Sequence, residues 1–134
     1  MLNQSTVNAR FIIYGNDFDV DKITTILQLT PTEITIKGQI PTGKKRPSIE
    51  DSWELSSNDE ESYDVMEQLN KLFILLEKKV NVLMSIKKEL GIKYIFSIVV
   101  KIRDQQIPAF FLSQEALSFI NEIGAELDLD MYIL

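Results

Sequence analysis

Asp128 and Asp130 stand two residues apart in the run Glu126-Leu127-Asp128-Leu129-Asp130-Met131-Tyr132, and a pair of carboxylates is what acid-base attack on a glycosidic bond uses. Two positions apart on one strand, their backbone sites are about 6.5 to 7 Å from each other. Without a substrate cleft that spacing is weak evidence for an active site. Asp17, Asp19 and Asp21 alternate like the opening of a calcium loop. Such a loop needs glycine at its sixth position and a bidentate glutamate at its twelfth, where this chain has Lys22 and Gln28. Capping of a following helix is the better account of the trio. Gly43-Lys44-Lys45-Arg46-Pro47 is basic, but a phosphate-binding loop needs a second glycine at fixed spacing and a Ser or Thr leading into a helix. It is expected to stay solvated or to fold onto the acidic residues that follow it, and closure over a ligand is the lesser reading.

The chain contains neither histidine nor cysteine. That removes imidazole bases, thiolate nucleophiles and the metal sites that need nitrogen or sulfur ligands. Nothing resembles a nucleophile elbow. Binding therefore ranks above catalysis, and no cofactor, metal or catalytic residue is assigned.

The elements that must position these residues follow from periodicity. Ala9, Phe11 and Ile13 alternate as a first strand ended by Gly15. Ile23, Ile26 and Leu27 form the stripe of a short helix N-capped by Asp19, and Ile34 and Ile36 mark a second strand beyond Pro31. Trp53 and Leu55 resume a strand. Ser57 or Asn58, followed by Glu60 or Glu61, reads as a capping box for a long helix with Val65, Leu69, Leu72, Leu76, Val80, Leu83 and Leu90 on its stripe, a break near Asn81 and Gly91 at its end. Tyr94, Phe96, Ile98, Val100 and Ile102 form the clearest strand, with Pro108 to Leu112 as a short hairpin partner. Ser113 caps a third helix carrying Leu117, Ile120 and Ile123, and Glu126 to Leu134 is the last strand.

A helix, tight turn and strand thus occur both at Ile23 to Ile36 and at Leu117 to Asp130, either by duplication or by chance. The pattern predicts an α+β two-layer sandwich. A mixed or antiparallel sheet of about five to six strands carries three helices on one face, in the order β-α-β-β-α-β-(β)-α-β. One domain is expected over residues 1–134, with 1–6 disordered and 39–50 a flexible basic loop.

Forty-five per cent apolar and 25% charged residues are ordinary for a globular domain. Twenty acidic against fourteen basic residues leave a net charge of −6, which repels nucleic acid and suits a basic protein partner. The polar N-terminus lacks a signal pattern, and no apolar run approaches the roughly 20 residues of a membrane span. A cytoplasmic protein is expected.

Several segments together resemble a known family. They are Phe11-Ile12-Ile13-Tyr14-Gly15-Asn16-Asp17-Phe18-Asp19, Ile23 with Leu27, Pro31-Thr32, Lys37-Gly38, Ser52-Trp53-Glu54-Leu55, and Ile123-Gly124-Ala125-Glu126-Leu127-Asp128-Leu129-Asp130-Met131-Tyr132. In this order they are similar to the landmarks of the bacterial domain-of-unknown-function family 4279. The resemblance spans nearly the whole chain and implies a small bacterial, cytoplasmic, single-domain protein. It brings no catalytic residues.

If helices cover one face only, the other is a polar platform. Glu33, Thr35 and Lys37, then Lys101 and Arg103, then Glu126, Asp128, Asp130 and Tyr132 alternate with core-facing residues. The plain reading is a solvated face with cross-strand ion pairs of about 0.2 to 1 kcal/mol each. As a binding surface its candidates are Trp53, Lys37, Lys101, Arg103, Glu126, Asp128, Asp130 and Tyr132. Two functions fit: an interaction protein, concretely an immunity protein masking a basic toxin with this face and the acidic stretch Glu50 to Asp64, or a small-ligand or regulatory module. Homodimerisation fits both.

Overall fold

The alternation through Val7, Ala9, Phe11 and Ile13 produces β1 (Thr6–Gly15), and all four side chains are fully buried. Because neighbouring strand residues point to opposite faces, this row decides which face carries the core. The computed structural model describes residues 4–134. The N-terminal segment expected to be disordered lies partly outside them, at residues 1–3, whereas Ser5 is buried and Thr6 opens β1.

Two strands flank β1 antiparallel. β3 (Asp51–Ser56) sets Trp53 opposite Ile13 and Leu55 opposite Phe11. β5 (Lys93–Ile102) sets Phe96 opposite Phe11 and Ile98 opposite Ala9. β2 (Glu33–Thr35) extends the sheet beyond β3, and β6 (Ala125–Ile133) lies parallel to β5 at the far side. The order is β2-β3-β1-β5-β6, with a two-residue strand, β4 (Glu60–Glu61), pairing the start of β1. The sheet is mixed, open and six-stranded, and the helices lie on one side of it. This is the expected α+β two-layer architecture.

Three of the helices begin with a side chain that satisfies free backbone N–H groups of the first turn. Asp19 accepts from the N–H groups of Asp21 and Lys22 at α1 (Val20–Leu27), as its place in the sequence suggests. Ser113 does the same for Ala116 at α4 (Gln114–Glu122). The long helix is interrupted one turn ahead of the expected break: α2 (Val65–Leu76) runs into a 3-10 turn at Glu77–Lys79, and α3 (Val80–Leu90) follows. The three charged residues of that turn are not buried, and beyond it Leu83 and Ile86 return to the core.

Aromatic rings weld the layers together. Phe96 lies 5.0 Å from Phe11 within the sheet and 5.4 Å, edge-on, from Phe73 of α2, while Phe119 of α4 lies 5.2 Å from Phe73. Such pairs add about 0.5–1.5 kcal/mol each beyond burial. Tyr94 is buried, which pushes its phenol pKa up, and its hydroxyl donates to the Leu83 carbonyl at 2.7 Å, joining β5 to α3.

Two local expectations are corrected. Ser57 and Asn58 do not cap α2: Ser57 Oγ accepts from the backbone of Ala9, Asn58 turns the chain at φ 63, and β4 follows. Asp64 is the cap, accepting from Met66 N at 3.0 Å. Pro108 to Leu112 is not a hairpin partner of β5. Ala109 instead bridges to the start of α2, donating to the Tyr63 carbonyl at 2.7 Å and accepting from Val65 N at 3.0 Å. Two left-handed residues, Asp104 and Gln105, send the chain away from the sheet before it can fold back on β5.

Candidate functional site

The uncovered face of the sheet is built from residues that alternate with the core. β1 contributes Asn8, Arg10, Ile12 and Tyr14, and β3 contributes Ser52, Glu54 and Ser56. β2 adds Glu33 and Thr35, opposite Glu54 and Ser52. β5 contributes Ile95, Ser97, Val99 and Lys101, and beside them β6 sets Glu126, Asp128, Asp130 and Tyr132 in register. All four of these β6 residues are exposed. The strand pattern therefore brings Lys101, Glu126, Asp128, Asp130 and Tyr132 together as expected.

Three other candidates lie elsewhere. Trp53 is fully buried on the helix side, its indole N–H donating to Thr24 Oγ1 of α1 at 2.9 Å, so it is a core residue and not a surface anchor. It shares a face with Leu55 by alternation, which turns it away from Glu54. Arg103 lies past the end of β5, where its guanidinium reaches the Gln4 carbonyl and its backbone N–H donates to Ser5 Oγ at 2.9 Å. Lys37 lies beyond β2 and pairs with Asp17 at 3.6 Å across the edge of the sheet.

The acidic stretch Glu50 to Asp64 does not form one patch. Asp51 is buried and accepts from the backbones of Phe18 and Lys37, and Asp64 caps α2. Among the described residues, Lys44, Lys45 and Arg46 make no ion pair with this stretch. They are exposed, in a loop closed on itself by hydrogen bonds between Gln39 and Ser48 and between Gly38 and Ser48.

Asp59 anchors one end of the open face, where β1 begins and β5 finishes. It takes Lys101 Nζ at 3.0 Å and Asn8 Nδ2 at 3.0 Å. The Lys101 hydrogen bond holds its carboxyl below the ordinary carboxylate range, against a smaller opposing effect of burial. Glu54 goes the other way. Desolvation raises it, and the charge of Glu33 adds to this, with Arg10 only partly compensating. Burial also raises the Tyr14 phenol, helped by the charge of Glu126. Arg10 Nε is buried without a hydrogen-bond partner among the described residues.

Around Asp59 lies a shallow hollow of about 610 Å³, lined by Asn8, Arg10, Asn58, Ser97, Lys101, Asp130 and Tyr132 among others. Sequence reasoning included only Lys101, Asp130 and Tyr132 of this set. Asn8 and Arg10 were legible in principle, as the residues alternating with Ala9 and Phe11. Asn58 and Asp59 were not, because their turn resembles a helix cap in sequence. Among the described residues, no group of three or more acidic side chains could hold a metal ion. Among the described residues, no helix is long and apolar enough to cross a membrane.

An open, mixed six-stranded sheet with helices on one side defines an α+β fold. The chain belongs to the family described as a domain of unknown function (DUF4279), whose model matches residues 5–134. No curated protein and no solved structure matches it.

Proposed function

We propose that this chain is a non-enzymatic protein-interaction module of the bacterial cytoplasm that docks the acidic rim of its open sheet face onto a basic partner, as an immunity protein would mask a basic toxin. One observation carries this reading. Glu126, Asp128 and Asp130 form an exposed row that makes no ion pair among the described residues, while the neighbouring cation, Lys101, is held by Asp59. Unpaired carboxylates in a row steer and orient a cationic surface. With a net charge of −6, nucleic acid is a poor partner for this face.

The test is affinity copurification of the tagged protein from its native cell, followed by mass spectrometry, alongside a variant carrying Asp128→Asn and Asp130→Asn. Recovery of one basic protein that the variant loses supports the reading. Equal recovery by both proteins removes the acidic rim from the explanation.

The hollow around Asp59 favours a second reading, a small-ligand or regulatory module, because it gathers donors and acceptors from β1, β5, β6 and the turn before β4. A metabolite that raises the melting temperature of the wild type, and does so less for Arg10→Gln, would move this reading ahead. A metabolite panel without effect leaves it behind.

A further inference from the structure

One side of β6 is taken by β5 along its whole length, and the other side pairs with no strand among the described residues. Nine residues at about 3.3 Å each make a free edge close to 30 Å long, presenting unpaired N–H and C=O groups. The two faces of this edge differ chemically. On the open face stand Glu126, Asp128, Asp130 and Tyr132. On the helix face stand Leu127, Leu129 and Met131, which remain 37%, 38% and 51% exposed. The ring of Phe119 in α4 packs against Phe73 and Phe96, and the row Leu127, Leu129 and Met131 stays partly bare.

We propose that β6 is an acceptor for an added strand: an extended segment of a basic protein, with Lys or Arg alternating with apolar residues, pairs with its free edge. The cations of the segment lie over Glu126, Asp128 and Asp130, and its apolar side chains extend the row Leu127, Leu129 and Met131. Main-chain hydrogen bonds supply affinity in this mode and the alternating side chains supply selectivity. The inference rests on the interaction reading above and names its partner's chemistry and manner of docking.

A second copy of this chain fits the edge poorly. In an antiparallel pairing centred on Leu129, Asp128 stands opposite Asp130 of the other copy, and Glu126 stands opposite Tyr132. Shifting the register by two residues keeps the carboxylates of both copies on one face. Like charges directly opposite each other are destabilising, whereas an alternating basic strand makes each of these contacts favourable.

The experiment uses two nine-residue synthetic peptides of the same composition, one alternating lysine and valine, the other with its lysines grouped at one end. Affinity is read by fluorescence anisotropy and pairing by amide hydrogen exchange along β6. The alternating peptide is expected to bind about tenfold more tightly than the grouped one, to slow exchange at residues 126–132, and to lose both effects with Asp128→Lys and Asp130→Lys. Exchange on the wild type alone keeps the test valid should that variant fold poorly. Equal binding of both peptides, without protection of β6, overturns strand addition while leaving charge-based docking intact. No binding of either peptide also overturns it, and the copurification then judges the broader reading by itself.

Discussion

The two edges of the sheet are protected in opposite ways. On one side β2 pairs with β3 over only three residues. Past it the chain is tied down at once: Lys37 N–H donates to Asp51 at 2.8 Å, Lys37 pairs with Asp17, and Gly38 and Gln39 bond to Ser48. On the other side β6 offers nine residues and is defended by charge alone. Shortening an edge and charging an edge are both recognised ways to prevent unwanted strand pairing. They differ in what they permit. A short, tied edge refuses every partner, whereas a charged edge refuses its own kind and admits the opposite charge.

The largest effect expected from this contrast lies in stability. Trp53→Ala, behind the β2 edge, empties a fully buried site under α1 and strands the Thr24 hydroxyl, so a loss of about 3–5 kcal/mol is expected. Met131→Ala, behind the β6 edge, removes a half-exposed side chain and should cost less than about 1 kcal/mol. Urea denaturation with unchanged m-values measures both. Comparable losses would mean that β6 is as firmly packed as β3, and the picture of a loosely backed edge would fall.

This asymmetry was only half legible in the sequence. Strand period and face were readable wherever apolar and polar residues alternate, so β5, β6 and the polar row of β6 follow directly from the residues. Trp53 misled because a tryptophan among acidic residues resembles a surface anchor, although its own alternation with Ser52 and Glu54 assigns it to the core side. The capping-box reading of Ser57 and Asn58 failed for a different reason. Ser, Asn, Asp and Glu serve turns and short edge strands as readily as helix starts, and only the pairing of β4 with β1 decides between them. The incomplete cover of β6 was not readable either, since it depends on how the helices seat on the finished sheet.

Smaller effects separate the interior of the open face from its rim. Asp59 is held ionised by Lys101, so its folded-state pKa is depressed. The stability it contributes is present above the ordinary carboxylate pKa of about 3.9 and is lost as pH falls through the folded-state value. Because the pair is substantially exposed, Asp59→Asn should cost at most about 1 kcal/mol at pH 7, and the difference from wild type should shrink in acid. Glu54 has the opposite sign. Its raised pKa means that the folded state binds the extra proton, so ionised Glu54 opposes folding at neutral pH and the penalty fades as pH falls through the raised value towards the ordinary one. Glu54→Gln should therefore raise the melting temperature at pH 7 and do little near pH 4. A lowered melting temperature at pH 7 would show that its attraction to Arg10 outweighs its burial.

At the rim the expected change in stability is smallest. Asp128 and Asp130 are exposed and make no ion pair among the described residues, so Asp128→Asn with Asp130→Asn should alter unfolding free energy by no more than about 0.5 kcal/mol per site. The consequence belongs instead to association. With both carboxylates neutral, an antiparallel pairing of two β6 edges no longer sets charge against like charge, and the half-exposed Leu127, Leu129 and Met131 rows of two molecules can meet. Sedimentation velocity over a range of concentrations should show the double variant associating more strongly than the wild type. Asp128→Lys with Asp130→Lys restores like-charge repulsion and should return the protein to wild-type behaviour. If both double variants associate to the same degree, the carboxylates do not protect this edge, and another part of the surface must prevent the sheet from growing.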